Sequence, residues 1–275
     1  MKWQAARPEK LIAFLQAQLG GSYSGKQLRR ALEANLCRVN ARVERFGSAS
    51  IKTGDTVELA SSWKNLVAQK PAPIETIYED EHLTIINKPA GWVSKDIQPS
   101  KLVHRLDKDT TGLLILAKSH LAFEKMKGLF EKKEIVKEYL ALVDGHPSQN
   151  EGRIENRLGK KGSYQGQTIW GSSPTGSIAT TEWKALAKGK NSTLLLCKPL
   201  TGRTHQIRVH LAEMNHPILV DRQYAKSFRC KHFIQRPLLH AHTLRFIHPF
   251  LNKEISLKAP LPRDFQEVLK LEHIN

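Results

Sequence analysis

The densest group of reactive side chains lies in residues 103–118, whose sequence is VHRLDKDTTGLLILAK. Charged and polar residues fill its first half, a Thr-Thr-Gly turn follows, and an apolar strand then anchors the turn. Asp107 lies among His104, Arg105 and Lys108, whose positive charges favour an ionised carboxylate that can act as a nucleophile or base. The alternative is an ordinary turn in which an aspartate hydrogen-bonds its own backbone.

A second group of charged residues lies in residues 200–210, LTGRTHQIRVH. Thr-Gly predicts a turn, after which Arg203, His205 and Arg208 lead into a helix predicted over 206–214. Two arginines at the start of a helix favour a bound phosphate or carboxylate, because the helix dipole adds to their charge. The alternative is that both arginines only solvate the helix end, with His205 as a hydrogen-bonded structural residue.

Histidines and cysteines late in the chain raise the question of a metal site. Residues 236–249, RPLLHAHTLRFIHP, contain an HxH pattern that can chelate a metal ion, but the apolar residues around it favour a strand that lines a pocket. Cys230 and His232 are close enough to share a metal ion, yet no second nearby pair completes a tetrahedral set. We therefore expect no metal centre.

The composition of the 275 residues indicates a folded protein with a polyanionic partner. Lys and Arg number 43 against 26 Asp and Glu, a net charge of +17. This excess favours nucleic acid, since each neutralised phosphate releases bound counterions, and the alternative is a basic surface that only aids solubility.

No apolar run is long enough for a membrane span, the first residues do not resemble a signal peptide, and three distant cysteines imply no disulfide framework. We expect a cytoplasmic protein that binds no membrane.

Residues 1–62 are predicted to form a small domain of two helices followed by short strands. Apolar residues at helical spacing predict a helix over 8–19, which Gly20 and Gly21 end. Ser24 is placed to cap a second helix, GKQLRRALEAN. The predicted strands are 37–39, 41–45 and 56–59.

Residues 63–74 contain two prolines and little periodicity, which predicts a linker to a larger domain over 75–275. Short strands with few helices predict that this domain has an α+β fold on a mixed, mostly antiparallel sheet. Its predicted strands are 75–78, 82–87, 113–117, 139–143, 180–186 and 192–196, and its predicted helices are 122–131 and 206–214.

Seven segments, in their order along the chain, resemble the RluA-type family of RNA pseudouridine synthases. They are INKPAGWVSK (86–95), VHRLDKDTTGLLILAK (103–118), KEYLALVDG (137–145), TEWKAL (181–186), LTGRTHQIRVHL (200–211), HPILVDRQYA (216–225) and RPLLHAHTLRFIHP (236–249). In front of them, SGKQLRRALEANLCRVNARV and FGSASIKTGDTVEL resemble the αL-type RNA-binding domain first described in a ribosomal protein. The resemblance covers about the whole chain.

This resemblance implies an α+β catalytic core with a cleft for RNA, and an enzyme that isomerises uridine to pseudouridine without a metal or cofactor. The family's catalytic aspartate corresponds to Asp107, its base-stacking tyrosine to Tyr139, and the arginine that pairs with the aspartate to Arg208. The residues expected to shape a uracil pocket are Ile207, Leu238 and Leu239.

The resemblance also implies RNA contacts in both domains. In the αL-type family the second helix and the turn after it face RNA. The residues expected to contact RNA are Lys26, Arg29, Arg30 and Arg38 in the first domain and Arg105, Lys108 and Arg203 in the second.

The chain departs from the family pattern in two places. The segment between Gly91 and His104 is short, so a loop and helix often present there are trimmed. Asn215 and Val220 stand where the family usually has glycine. None of these positions is an expected catalytic residue, so the departures bear on substrate choice more than on chemistry.

Several alternatives stay open at the level of the sequence. Ribosomal RNA is the favoured substrate because an αL-type domain joined to this core often accompanies it, and transfer RNA is the alternative. A catalytically silent ribosome-assembly factor is a second possibility. A glycosidase-like acid/base pair of Asp107 and Asp109 is disfavoured, since two such close carboxylates rarely flank one bond at about 5–9.5 Å. Asp107 either attacks C1′ or removes a sugar proton, and we expect a monomer.

Overall fold

The computed structural model describes residues 1–64, 74–97, 101–164, 167–225, 227–230, 232 and 236–274, without the side chains of Lys26 and Tyr164. The chain divides into two compact units, Met1–Ala72 with His232–Arg236, and Pro73–Lys231 with Pro237–Asn275. In the part of the chain that is described, no helix has the length and apolar character that crossing a membrane requires.

The first unit gathers two helices and short strands around one apolar core, to which Leu11, Phe14, Leu28 and Leu32 contribute. Four strands form an antiparallel sheet in the order β1-β6-β3-β4, and β2 pairs with β5. The elements are β1 (Lys2–Gln4), β2 (Glu9–Lys10), α1 (Leu11–Gln18), α2 (Gly25–Glu33), β3 (Cys37–Val39), β4 (Arg42–Val43), β5 (Ser50–Ile51) and β6 (Thr56–Leu59).

The predicted helices of the first unit are both present. Ser24 caps α2 as expected: its hydroxyl accepts the N–H of Gln27, whose side chain accepts the N–H of Ser24 in return. The first helix begins at Leu11 instead of residue 8, because the two residues before it pair with β5.

The boundary drawn after residue 62 is wrong by at least one residue. Trp63, predicted to begin the linker, is fully buried in the core of the first unit and packs edge-on against Tyr23 with ring centroids 4.5 Å apart. Residues 65–73 of the predicted linker lie outside the described residues.

The second unit is built on an eleven-stranded sheet in the order β13-β12-β14-β15-β11-β16-β10-β8-β7, with β17 beside β16 and β9 beside β10. Every pairing is antiparallel except that of β10 with β16, so the predicted mixed, mostly antiparallel α+β fold is confirmed. The strands are β7 (Glu75–Glu79), β8 (Leu83–Lys88), β9 (Lys101–Leu102), β10 (Thr111–Ala117), β11 (Val136–Asp144), β12 (Glu151–Tyr164), β13 (Gln167–Ser172), β14 (Ser177–Lys188), β15 (Ser192–Pro199), β16 (Leu239–Ile247) and β17 (Glu254–Lys258). The helices are α3 (His120–Glu131), α4 (Gln206–Glu213) and α5 (Arg263–Leu271).

The six strands and two helices predicted in this domain all exist, most of them longer than predicted. The β12–β13 hairpin, β17 and α5 were not predicted. The hairpin is rich in glycine and poor in apolar residues, so its strands are held by pairing with each other and with β14 more than by an apolar pattern of their own.

Gly112 is required where β10 and β16 run parallel. It adopts φ +108°, and a Cβ atom there would collide with the backbone of Ala241 on β16. This close contact lies at the start of β10, directly after the loop that carries Asp107. The turn predicted at Thr-Thr-Gly lies earlier, at residues 108–109, while Thr111 and Gly112 already belong to β10. Gly112 thus sets the spacing between two strands beside that loop.

We expect Gly112→Ala to lower the free energy of unfolding by about 2–5 kcal/mol, since it adds both backbone strain and overpacking. Gly128→Ala is the matched control, because a Cβ there meets nothing within 4 Å on α3 and alanine favours a helix by about 0.8–1 kcal/mol. Denaturant unfolding of both variants checks this, and equal stability of the two would contradict the packing at Gly112.

Candidate active site

Asp107 lies in a loop whose backbone is held on both sides. Before it, the hydroxyl of Ser94 donates to the carbonyl of Leu106 at 2.9 Å and accepts the Leu106 N–H at 3.1 Å. After it, the carbonyl of Lys108 accepts the N–H of Gly91 at 2.9 Å. The shortened segment that begins at Gly91 therefore has a structural role, since its residues hold the Asp107 loop.

Lys88, at the end of β8, completes this support with a fully buried side chain. Its Nζ donates to the carbonyl oxygens of Pro89, Trp92 and Lys108, each at 3.0 Å. A buried ammonium group is unfavourable unless its donors are satisfied, and three carbonyls match its three donors. Lys88 thereby ties the turn after β8 to the loop of Asp107.

Arg208, in the first turn of α4, is shared between two carboxylates. Its Nε and Nη2 donate to Asp221 at 2.6 and 2.8 Å, and Nη2 also donates to Gln223 at 2.8 Å. Its Nη1 donates to Oδ2 of Asp107 at the longer distance of 3.3 Å. The structure brings Arg208 and Asp107 together as expected, but the planar, two-point contact of the guanidinium is made with Asp221.

The charge of Arg208 is secured by its surroundings. Burial alone would lower its pKa, but the charge and hydrogen bonds of Asp221, followed by the charge of Asp107, hold the pKa above its ordinary value. Asp221 is almost fully buried at 1% exposure, whereas the Asp107 side chain is 22% exposed. Asp107 is therefore the carboxylate of this pair that is accessible to a substrate.

Tyr139 lies on β11 and lines the same cleft as Asp107, with 9% of its surface exposed. The pairing of β11 with β16 skips His242 between Glu138 and Tyr139, a β-bulge that re-aims the side chains beside it. Burial, and then the charge of Asp107, raise the pKa of Tyr139. Its hydroxyl keeps its proton at neutral pH, so Tyr139 can stack on a base or donate a hydrogen bond but is not a ready base.

His104 does not supply the positive charge that its place beside Asp107 suggested. Its Nε2 accepts the backbone N–H of Ile115 at 3.1 Å. Burial, followed by the charge of Lys137, lowers its pKa to about 3, so the ring is neutral at physiological pH. A neutral His104 with this contact fits a role in ordering the loop, and the cation that contacts the Asp107 carboxylate is Arg208.

A cleft of about 810 Å³ includes Asp107, Tyr139 and Arg208 in its walls. Of the residues expected to shape a uracil pocket, Ile207 and Leu239 line this cleft, whereas Leu238 is fully buried outside its lining. The cationic residues of the lining outnumber the acidic ones. The cations are Arg105, Lys133, Lys137, Lys198, Arg203 and Arg208, and the acids are Asp107 and Glu131.

Two of the arginines expected to contact RNA are exposed in this cleft and oriented by one hydrogen bond each. Arg105 donates to the hydroxyl of Thr204 at 2.9 Å, and Arg203 donates to the carbonyl of Ile178 at 3.0 Å. One bond uses a small part of the five donors of a guanidinium, so a ligand can take others. Lys108 is exposed beside Asp107 but is not part of the cleft lining.

The remaining residues expected to contact RNA belong to the first unit. Arg29 and Arg30 are exposed on α2, and Arg38 is partly buried on β3. The side chain of Lys26 lies outside the described residues.

The two positions where the family has glycine both adopt φ +65°, the left-handed region. Asparagine tolerates this conformation at position 215, whereas a β-branched residue such as Val220 is strained by it. Val220 is 6% exposed, so burial of its side chain offsets part of that strain. Both residues hold the left-handed conformation without glycine, and Asp221, which follows Val220, binds Arg208.

The HxH segment forms a strand with one residue in the cleft, as predicted, and its histidines are engaged by the protein. His240 bonds to Thr111 at 2.8 Å and lies 3.3 Å from the carbonyl of Ala259. His242 bonds to the same carbonyl at 3.0 Å. These contacts give both rings a structural role at the end of the parallel strand pair.

Five polar residues that hold the site were not singled out from the sequence: Lys88, Ser94, Asp221, Gln223 and Tyr224. All five lie in segments that carried the family resemblance, but nothing local distinguishes a supporting residue from a surface one. The available signal was an acidic residue directly after the apolar run PILV, because a carboxylate buried in that way needs a cationic partner.

Comparisons with known proteins agree with this geometry. A family model described as RNA pseudouridylate synthase matches residues 66–213, more than half of the chain. The chain is 33% identical over 234 residues to "Ribosomal large subunit pseudouridine synthase D" of Zymomonas mobilis, which covers 72% of this chain and 73% of that protein. It is 31% identical over 274 residues to "Ribosomal large subunit pseudouridine synthase C" of Vibrio cholerae, covering 87% and 86%.

A solved structure gives the same result. The chain matches "Human RNA Pseudouridylate Synthase Domain Containing 4" with a TM-score of 0.61 and 26% identity, over 72% of this chain and 93% of that one. The family model, the relatives and a fold that places a carboxylate, a tyrosine and a buried arginine in one basic cleft lead to one conclusion: this chain belongs to the RluA-type family of RNA pseudouridine synthases.

Proposed function

We propose that this chain isomerises specific uridines of large-subunit ribosomal RNA to pseudouridine, as a cytoplasmic monomer, with Asp107 as the reacting carboxylate. The observation that carries the proposal is the accessible Asp107 carboxylate, 3.3 Å from a buried guanidinium and in one cleft with Tyr139. The substrate is proposed from the names of the relatives, which act on the large ribosomal subunit. All three cysteines are free thiols, which fits a reducing compartment.

The proposed reaction requires only the groups that the cleft offers. The C1′–N1 bond of uridine breaks, the uracil turns, and a C1′–C5 bond forms. The proton lost from C5 is balanced by one gained at N1. No electrons are gained or lost overall, so the proposed reaction needs no redox cofactor. Asp107 supplies the demanding step, either by attack on C1′ or by removal of a sugar proton, and Arg208 keeps the carboxylate oriented.

The target base must leave its stack before it reaches Asp107, which costs a few kcal/mol in a structured RNA. We propose that Tyr139 offsets part of this cost by stacking on the uracil, next to the apolar Ile207 and Leu239. The cations of the cleft, including Arg105 and Arg203, would hold the phosphates on either side.

The first unit is proposed to add RNA affinity as an αL-type domain. Its support is the exposure of two adjacent arginines, Arg29 and Arg30, on a capped helix. Such a helix presents two guanidinium groups that bind a phosphate backbone with two donors each.

Asp107→Asn should abolish pseudouridine formation and leave RNA affinity within a few-fold, because the amide keeps the shape but neither attacks nor takes a proton. Asp109→Asn makes the same chemical change two residues away and should have only a modest effect. Carbodiimide labelling with primer extension maps the pseudouridines made by each variant. It is applied to ribosomal and transfer RNA from cells that lack the gene and from the same cells complemented with wild type or either variant.

The outcomes separate the alternatives. Signals lost only from large-subunit RNA, and restored by wild type but not by Asp107→Asn, support the proposal. Signals lost only from transfer RNA would show that transfer RNA, and not ribosomal RNA, is the substrate. No change at any uridine would favour an assembly factor, and an Asp109→Asn variant as inactive as Asp107→Asn would favour a carboxylate pair.

Arg208→Lys should lower kcat by about 100-fold or more, because one ammonium cannot bind Asp221 at two points and also reach Asp107.

Asp221→Asn should be the less stable of two aspartate variants, by about 3 kcal/mol, because it breaks a buried ion pair. Asp107→Asn should be nearly as stable as wild type yet the least active. Thermal melts and single-turnover assays check these opposite orders, and equal stability of both aspartate variants would contradict the contacts of Arg208.

Lys26, Arg29 and Arg30 changed together to alanine should weaken RNA binding and reduce the slope of log affinity against log salt by about two to three, with turnover at saturating RNA retained. Arg7, Lys10 and Lys52 changed together remove the same charge elsewhere in the first unit and serve as the control. A slope unchanged by the first triple variant, or equally changed by the control, would remove α2 from the RNA interface.

A further inference from the structure

The second oxygen of Asp107 faces a histidine to which the proposed chemistry assigns no role. Arg208 holds Oδ2, while Nε2 of His205 lies 3.8 Å from Oδ1. That distance is too long for a hydrogen bond in this structure, but catalytic contacts often tighten only when substrate binds. Arg208 and His205 both lie at the start of α4: Arg208 is in the first turn, and His205 is the residue immediately before the helix.

His205 is held in an unusual conformation. Its φ of +56° lies in the left-handed region, which costs a residue other than glycine about 1 kcal/mol or more. Its Nδ1 and the hydroxyl of Tyr224 are 2.6 Å apart, and the two rings meet edge to face with centroids 5.7 Å apart. A strained backbone together with a short side-chain contact fixes the direction of the imidazole ring.

The surroundings of Tyr224 decide where the proton of His205 lies. The oxygen of Tyr224 accepts the N–H of Trp170 at 3.4 Å, and Nδ1 of His205 is the acceptor that the described residues offer to its hydroxyl proton. Burial, followed by the charge of Arg208, lowers the pKa of His205 to about 4, so the ring is neutral at physiological pH and carries one proton. With Nδ1 accepting from Tyr224, that proton is on Nε2, the nitrogen that faces Asp107.

Tyr224 is itself fixed by neighbours on two sides. The guanidinium of Arg208 lies against its ring, 5.1 Å from the centroid. The adjacent Gln223 accepts from Arg208 and donates to the carbonyl of Thr168 on β13 at 2.9 Å. The ring that aims His205 therefore rests on Arg208 and on the β12–β13 hairpin.

We propose that His205 is a positioning residue for Asp107: its Nε2–H, aimed by Tyr224, donates to Oδ1 while Arg208 holds Oδ2. Two donors from one helix start fix the plane of the carboxylate, which otherwise rotates about its Cβ–Cγ bond. Oδ1 has two lone pairs, so one stays available to the sugar of the target uridine. The inference rests on the proposed role of Asp107 and adds to it the partner of the second oxygen.

The test is a pair of substitutions whose effects on stability and activity run in opposite orders. His205→Asn suits the left-handed backbone and can accept from Tyr224, but it has no donor at the position of Nε2. His205→Gln is less suited to that backbone, yet its amide nitrogen reaches the position of Nε2. We expect His205→Asn to be the more stable variant and to lose about 10- to 100-fold in kcat, and His205→Gln to stay within about five-fold of wild type.

The assay uses the full-length protein and a large-subunit ribosomal RNA transcript that contains a mapped target uridine labelled with tritium at C5. KM and RNA affinity should stay within about three-fold in both variants, because His205 acts on the orientation of Asp107. Tyr224→Phe should lower kcat about five-fold in the wild-type background and less than two-fold in the His205→Asn background, since Tyr224 acts through His205.

Three results would overturn the inference. They are a kcat for His205→Asn within two-fold of wild type, activity that follows the melting temperature in both histidine variants, or additive effects of His205→Asn and Tyr224→Phe. Its failure is distinct from failure of the proposed function: wild-type protein that releases no tritium contradicts the function, whereas active wild type with an equally active His205→Asn variant contradicts only the inference.

Discussion

The site depends on one buried cation that two carboxylates share. Arg208 is almost inaccessible to solvent, and Asp221 binds it at two points. A guanidinium buried in this way is stable only because its charge and donors are met. Asp221 balances the charge and accepts two of the five donors, and Gln223 accepts a third. Two N–H donors are left on Nη1, and one of them goes to Asp107 at 3.3 Å. The accessible carboxylate is thereby oriented by a single, longer contact, which suits the reacting role that we propose for it.

The sheet gives this arrangement its rigidity. The loop of Asp107 ends where β10 begins, and β10 is held against β16 through the close contact at Gly112. On the other side, Lys88 and Ser94 hold the backbone next to Asp107 through buried hydrogen bonds. Arg208 arrives on a separate helix. A carboxylate and an arginine 101 residues apart thus meet because rigid elements carry both.

Much of the fold could be predicted from local pattern, and the exceptions have a common cause. Short apolar runs predicted β8, β10 and β11, and the Ser24 cap predicted the start of α2. The β12–β13 hairpin has few apolar residues, and pairing of its strands with each other and with β14 stabilises it. Trp63 was mistaken for linker because two prolines follow it, while its burial depends on Tyr23 and the core of the first unit.

The sequence by itself determined the family, the fold class and the residues to consider at the site, since Asp107, Tyr139 and Arg208 stand in ordered motifs of recognisable chemistry. Only the tertiary structure decided how those residues are paired. It gave the two-point contact of Arg208 to Asp221, made His104 neutral by burying it, and brought Tyr224 onto His205. The physical reason is that hydrogen-bond geometry and burial depend on residues far apart in the chain, which local spacing does not encode.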